Sequence, residues 1–289
     1  MRTVNFDGIA YEEFDSIHEY LRIEKQRDWN SFFAGKSHSS RRGEGYGFNA
    51  SSSFEEACDL LTNGWSEPLN KMRDAFNHKV RVNTTESRTK AQNRYNVMGH
   101  TPSVPRFIEG LPDAMVETIR QPMKSKTIHL MYDTVVAGSM STEQMTKAGV
   151  AVLETVSYLE RLGYRVKLTS VGAFVLKSEF GGRGVMGGIV MKEYRQPLDV
   201  KKLCFPVAHG DMSRRIFFGW QEKTPVLREY CNGYGHGTFN ESPSERDKLQ
   251  KALEAEGGFF ICESMVRRAN YDPETLMKQR GIAQTKGGK

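Results

Sequence analysis

Apolar residues along this chain recur at two spacings, and the switches between them mark out its elements. From Thr127 to Leu168 the order is strand, loop, helix, strand. Ile128, Leu130 and Tyr132 alternate with their neighbours, the period of a β-strand. After Asp133 and the small-residue loop Ala137-Gly138-Ser139-Met140-Ser141 the spacing turns helical, through Met145, Ala148, Gly149, Val152, Val156 and Leu159. Ser141 stands three residues before Gln144, a capping-box spacing, and Gly163 is placed to close the helix before a second strand from Arg165. Such a β-loop-α-β unit closes by a right-handed parallel crossover.

The same reading extends in both directions. A short strand precedes a helix from Tyr11 to about Lys25, with Phe14, Ile17, His18 and Leu21 inward. The Gly/Ser-rich stretch from Gly35 to Ser53 reads as a loop. Ser53 and Glu56 then form a second capping box, opening a helix that stops at Asn63-Gly64. A further helix is expected from Ser66 to His78, and an exposed loop or hairpin from Val80 to Gly99. The prolines between Thr101 and Met115 predict no regular element. Strands are expected at Lys167–Lys177 and Gly188–Tyr194. Between them Gly182, Gly184 and Gly187 match G-x-G-x-x-G, but β-branched Ile189 and Val190 follow, so a hairpin fits better than a dinucleotide loop. Helices at Leu198–Leu203, Asp211–Glu222, Ser242–Glu256 and Pro273–Arg280, with a strand at Gly258–Met265, complete the pattern. Alternating strands and helices predict an α/β sheet with helices on both faces.

Composition narrows this picture only a little. The 289 residues are 38% hydrophobic and 26% charged, the balance of a soluble globular protein. No apolar run reaches the ~20 residues of a membrane helix, and the N-terminus lacks a signal-peptide core, so a cytoplasmic protein is expected. The four cysteines are scattered, which fits reduced structural thiols. Residues 1–125 hold 17 basic and 17 acidic side chains, and residues 126–289 hold 24 and 18. All of the net +6 therefore lies in the C-terminal part, where a solvated basic surface is its commonest cause.

Three groups of residues carry candidate chemistry. Asp133, Ser139 and Ser141 at a strand end supply hard oxygen ligands that suit Mg²⁺ or Ca²⁺, and Asp211 is a candidate to complete the set. In the competing reading Ser141 only caps its helix and Asp133 only bonds its loop. Arg81, Arg88, Lys90 and Arg94, with Tyr95 beside them, form the nearest thing to a nucleic-acid patch, joined by Arg214 and Arg215. A solvated loop and structural cations are the plainer account of both. His236 in the Gly-rich segment from Cys231 to Ser242 has no recognisable nucleophile partner, and no catalytic constellation stands out.

The strand, Asp133, the Gly138–Ser141 loop and the long helix resemble the first unit of a von Willebrand factor A domain. Ser53-Phe-Glu-Glu-Ala with Gly64-Trp65, Pro105-Arg-Phe-Ile-Glu-Gly, Lys147-Ala-Gly, Leu159-Glu-Arg-Leu-Gly-Tyr and Phe205-Pro-Val-Ala-His209 with Arg214-Arg215 resemble an uncharacterised group of tailed-phage proteins. That resemblance implies a Rossmann-type core of von Willebrand A kind from residue 121 to 289, with a mainly helical extension over residues 1–120. A domains hold their ion with Asp-x-Ser-x-Ser and two later loops, for which Thr169 or Ser170 and Asp211 are the candidates. Here the first serine lies six residues after Asp133 rather than two, so the metal motif is degenerate.

The expected function is a phage-encoded, non-enzymatic adaptor in the host cytoplasm. It would bind a protein partner, such as a host factor or a phage ATPase, at the carboxyl edge of the sheet. Nucleic-acid binding is the second expectation and a metal-dependent hydrolase using Asp133 and Asp211 the third.

Overall fold

The computed structural model describes residues 1–6, 9–30, 34–35, 37–43, 50–66, 89–122, 126–135, 140–175, 184–225, 251 and 258–281. They fall into two units, Met1–Val80 with Thr127–Lys289, and Arg81–Lys126. In chain order the strands are β1 (Arg2–Phe6), β2 (Ile9–Phe14), β3 (Thr89–Asn96), β4 (Thr101–Pro102), β5 (Met115–Pro122), β6 (Thr127–Asp133), β7 (Arg165–Val175), β8 (Gly184–Lys192) and β9 (Gly258–Cys262). The helices are α1 (Ile17–Gln26), α2 (Phe54–Asn63), α3 (Val104–Ile108), α4 (Thr142–Arg161), α5 (Val200–Ala208), α6 (Phe218–Lys223), α7 (Glu263–Arg268) and α8 (Pro273–Gln279). A π-helical segment, Met212–Phe217, leads directly into α6.

The larger unit is mixed α/β. Its six-stranded sheet has the order β1-β2-β8-β7-β6-β9. Pairing is parallel at β2–β8, β7–β6 and β6–β9, and antiparallel at β1–β2 and β8–β7. The β6-α4-β7 unit stands where the sequence pattern puts it. Ser141 Oγ accepts from Gln144 N while Gln144 Oε1 accepts from Ser141 N, so both halves of the capping box form. Gly149 has a different use. A Cβ there would lie 2.6 Å from Ala208 Cβ, so the missing side chain is what lets α4 approach α5 so closely.

Two apolar clusters join the sheet to its helices. Ile128, Leu130 and Tyr132 of β6 and Val166 and Leu168 of β7 pack on α4, α5, α7 and α8. Phe14, Val185 and Ile189 pack on α1, α2, the π-helix and α6. By strand alternation all of these sheet residues point to one face. The expectation of helices on both faces is therefore corrected for the described residues, whose helices in this unit lie on one. The helices expected at Ser66–His78 and Ser242–Glu256 lie outside the described residues.

The mainly helical extension over residues 1–120 is also corrected. Tyr11–Phe14 is strand, not the start of a helix; α1 begins at Ile17 behind the Ser16 cap. The strand is hidden in the sequence because Glu12 and Glu13 are polar yet buried, which erases the apolar alternation. β1 and β2 thus extend the main sheet rather than precede it. Residues 81–126 hold a three-stranded antiparallel sheet, order β3-β5-β4, with eight residue pairs between β3 and β5. Pro105 does not break this segment. It sits in the first turn of α3, where a missing N–H costs nothing.

Candidate functional site

The described oxygen ligands expected to hold a metal already have protein partners. Asp133 is buried at the end of β6, and its Oδ1 accepts from Val135 N at 3.0 Å, an Asx-type turn. Ser141 is spent on its capping box. Thr169 Oγ1 lies 2.7 Å from His129 Nε2, and Ser170 Oγ donates to Pro206 O. Asp211 is fully buried; its Oδ2 accepts from Ser51 N at 2.7 Å and from Ser51 Oγ, with Arg215 Nε at 3.7 Å. Ser139 lies outside the described residues. Among the described residues no group of three or more His, Cys, Asp or Glu is placed to hold a metal ion.

The basic candidates separate in the same way. Arg215 has no exposed surface, and its guanidinium donates to the carbonyls of Ser40, Arg42 and Ser51 at 3.2, 2.8 and 2.6 Å. It ties two loop segments to the π-helix and cannot meet a phosphate. Arg214 lies over the Phe218 ring at 5.5 Å, and burial lowers its pKa. Arg94 is half exposed but donates to Glu117 Oε2 at 3.1 Å, so a carboxylate already sits where a phosphate would have to bind. Arg81 and Arg88 lie outside the described residues, as does the Lys90 side chain; the Lys90 backbone belongs to β3. His236 lies outside them too. Burial pushes the Cys58 and Cys204 thiols up to about 12, so neither is a ready nucleophile.

A polar network that the sequence did not announce crosses the sheet on the face opposite the described helices. Tyr11 donates to Glu13 Oε2 at 2.7 Å, and Lys167 Nζ donates to Glu13 Oε1 at 3.2 Å. His129, beside Lys167 in the register, completes the row through Thr169. Gly188 makes room, since a Cβ there would meet Tyr11 Oη at 2.4 Å. Burial works against the Glu13 carboxylate, but the Tyr11 hydroxyl and the Lys167 ammonium outweigh it and hold its pKa below the ordinary value. Burial, then the Lys167 charge, push His129 down to about 4, so it is neutral at pH 7. These bonds clamp β2, β6 and β7 together.

The smaller unit departs furthest from what a free protein surface should be. Among its described side chains only Ala114 is buried. Val104, Phe107 and Ile108 stand at i, i+3 and i+4 of α3, the spacing of a core-facing stripe, yet they are 62%, 74% and 78% exposed. Tyr95, Val97 and Met98 at the end of β3 are exposed as well. The cations around them are answered locally: Arg106 donates to Asp113 Oδ1 at 2.6 Å and lies 4.4 Å over the Tyr95 ring, and Arg94 holds Glu117.

Across residues 3–283 the chain matches a family described as a domain of unknown function, DUF7192. The chain belongs to that family. No curated protein and no solved structure matches it. The sequence reading missed the α3 stripe because prolines and glycines flank it, and a five-residue helix offers too few turns for a period to show. The Val104, Phe107, Ile108 spacing was its one available signal.

Proposed function

We propose that this chain is a non-enzymatic interaction protein that docks a protein partner through the apolar stripe of its 81–126 unit. The observation that carries the reading is the exposure of Val104, Phe107 and Ile108 on one face of α3. Contiguous exposed apolar surface is costly in water and marks a contact waiting to form. Arg94 and Arg106, the described cations beside the stripe, are each held by a carboxylate, and an apolar stripe is best met by a protein surface. The resemblance read from the sequence sets this role in tailed-phage infection, with a host or phage protein as the partner. A von Willebrand A-like core would serve as the scaffold.

The test compares wild type with Phe107→Asp/Ile108→Asp in pull-downs from the native host, with and without nuclease. Two charges in the stripe remove at least ~2 kcal/mol of binding, a loss of about 30-fold or more. The expected result is a nuclease-resistant protein captured by wild type and lost from the variant, with circular dichroism unchanged. Capture of nucleic acid alone, or equal capture by both proteins, would overturn the reading.

A further inference from the structure

We infer that the partner supplies an extended segment, acidic toward one end and apolar toward the other, which adds as a strand to the edge of β3. The inference rests on the reading of the 81–126 unit as a protein-docking surface, and it names the chemistry of what docks. The edge itself is the first observation. β3 lies at the end of the order β3-β5-β4, and its eight residues pair with β5 in unbroken register on one side only among the described strands. A row of unpaired strand N–H and C=O groups is a template for another strand, and proteins blunt it with bulges, prolines or short length. β3 has no proline and no register shift. At the other end of the order β4 is only two residues long, too short to seed a strand.

The second is charge. Residues 81–126 hold eight basic and four acidic side chains, and two of each form the pairs Arg94–Glu117 and Arg106–Asp113, leaving six cations against two acids. Five of the six fall at one end of the β3–β5 ladder or beside it in the sequence. Lys90 pairs with Gln121 and Ala91 with Arg120, while Arg88 precedes β3 and Lys124 and Lys126 follow β5. β3 itself carries Lys90 and Arg94 and no acid, so it repels a like strand and draws in an acidic one.

The third is that the opposite end of the same ladder is apolar. Tyr95 pairs with Val116 and Asn96 with Met115, and the chain goes on through Val97 and Met98, 67% and 79% exposed. Arg106 lies 4.4 Å over the Tyr95 ring, which sets α3 beside this end. A segment running along β3 therefore meets cations near Thr89 and apolar side chains near Asn96. Antiparallel to β3 it reads apolar then acidic; parallel to β3 it reads the reverse. A nucleic acid would answer the cations but has no use for strand N–H and C=O groups or for the apolar end, so a peptide fits all three features.

Selection of random peptides of about twelve residues, long enough to span the eight-residue edge, on the full chain tests this. The expected result is enrichment of peptides that are acidic in one half and apolar in the other. Their affinity should fall about 10-fold or more for Lys90→Glu/Arg120→Glu and stay unchanged for the remote, exposed control Arg195→Glu. Hydrogen exchange on wild type alone guards against a misfolded variant: amides of residues 89–96 should slow when the tightest peptide is added. Enrichment with no acidic bias, equal binding by the double variant, or β3 exchange untouched by peptide overturns the inference. So does a short single-stranded oligonucleotide that wild type binds and the double variant loses while no peptide is enriched. If no peptide is enriched but Phe107→Asp/Ile108→Asp still loses a nuclease-resistant partner, the strand is wrong and the docking surface stands. If that variant loses nothing either, both fall.

Discussion

His129 has no room to be charged. It is buried on the sheet face opposite the described helices, beside the Lys167 ammonium and bonded to Thr169, and its folded pKa of about 4 lies below the ordinary 6.5. A histidine with a depressed pKa stabilises the fold in full above pH 6.5, and that contribution is lost as pH falls from 6.5 toward 4, because only the unfolded chain takes the proton. At ~1.4 kcal/mol per unit the loss by pH 4 is on the order of 3 kcal/mol. Urea midpoints at pH 7 and pH 5 should therefore drop more for wild type than for His129→Gln; equal drops would contradict this. Glu13 acts in a different window, since its lowered pKa withdraws stability only below the ordinary carboxylate value. Neither residue stood out in the sequence. A lone histidine or glutamate inside a strand carries no spacing, and its meaning comes from neighbours on other strands.

Elements were legible where local chemistry alone decides them. Ser53 and Ser141 announced their helices because capping depends on residues three apart; Ser141 forms its full capping box, whereas Ser53 caps Glu56 N and the Glu56 carboxylate accepts from Ser52 N and Oγ instead of Ser53 N. Gly184 and Gly187 fall in β8, which pairs antiparallel with β7 as the hairpin reading expects, and Gly182 lies outside the described residues. The misreadings have a common cause. β2 and the π-helix are shaped by partners distant in sequence: Trp220 Nε1 donates to Glu12, and the Arg215 guanidinium reaches Ser40 and Ser51. Gly149 belongs to the same class, a residue counted on the apolar face whose real role is closeness between helices. With Ala208 Cβ and Val207 O both 2.6 Å from any added Cβ, Gly149→Val must push α4 off α5. Overpacking of this kind costs about 1–3 kcal/mol. A urea midpoint unchanged in Gly149→Val would show that the helices separate freely.

At the scale of the molecule, the α/β character was readable from alternation alone, and the division of labour between the two units was not. The larger unit buries its apolar residues and spends its buried ions on itself, Arg215 on loop carbonyls and Lys192 on Glu160 and Val166 O. The smaller unit does the reverse, leaving Phe107 and Ile108 in water while pairing Arg94 and Arg106 with carboxylates. A residue's period shows which side of a helix it shares, but not whether that side faces a core or a partner. The most direct test of the docking surface is a photo-crosslinking amino acid at position 107 of the full chain, irradiated in native host cells, with position 162 as an exposed control. The account predicts a discrete protein adduct at 107 that is absent at 162. No protein adduct at 107 above the control, or an adduct to nucleic acid instead, would contradict it.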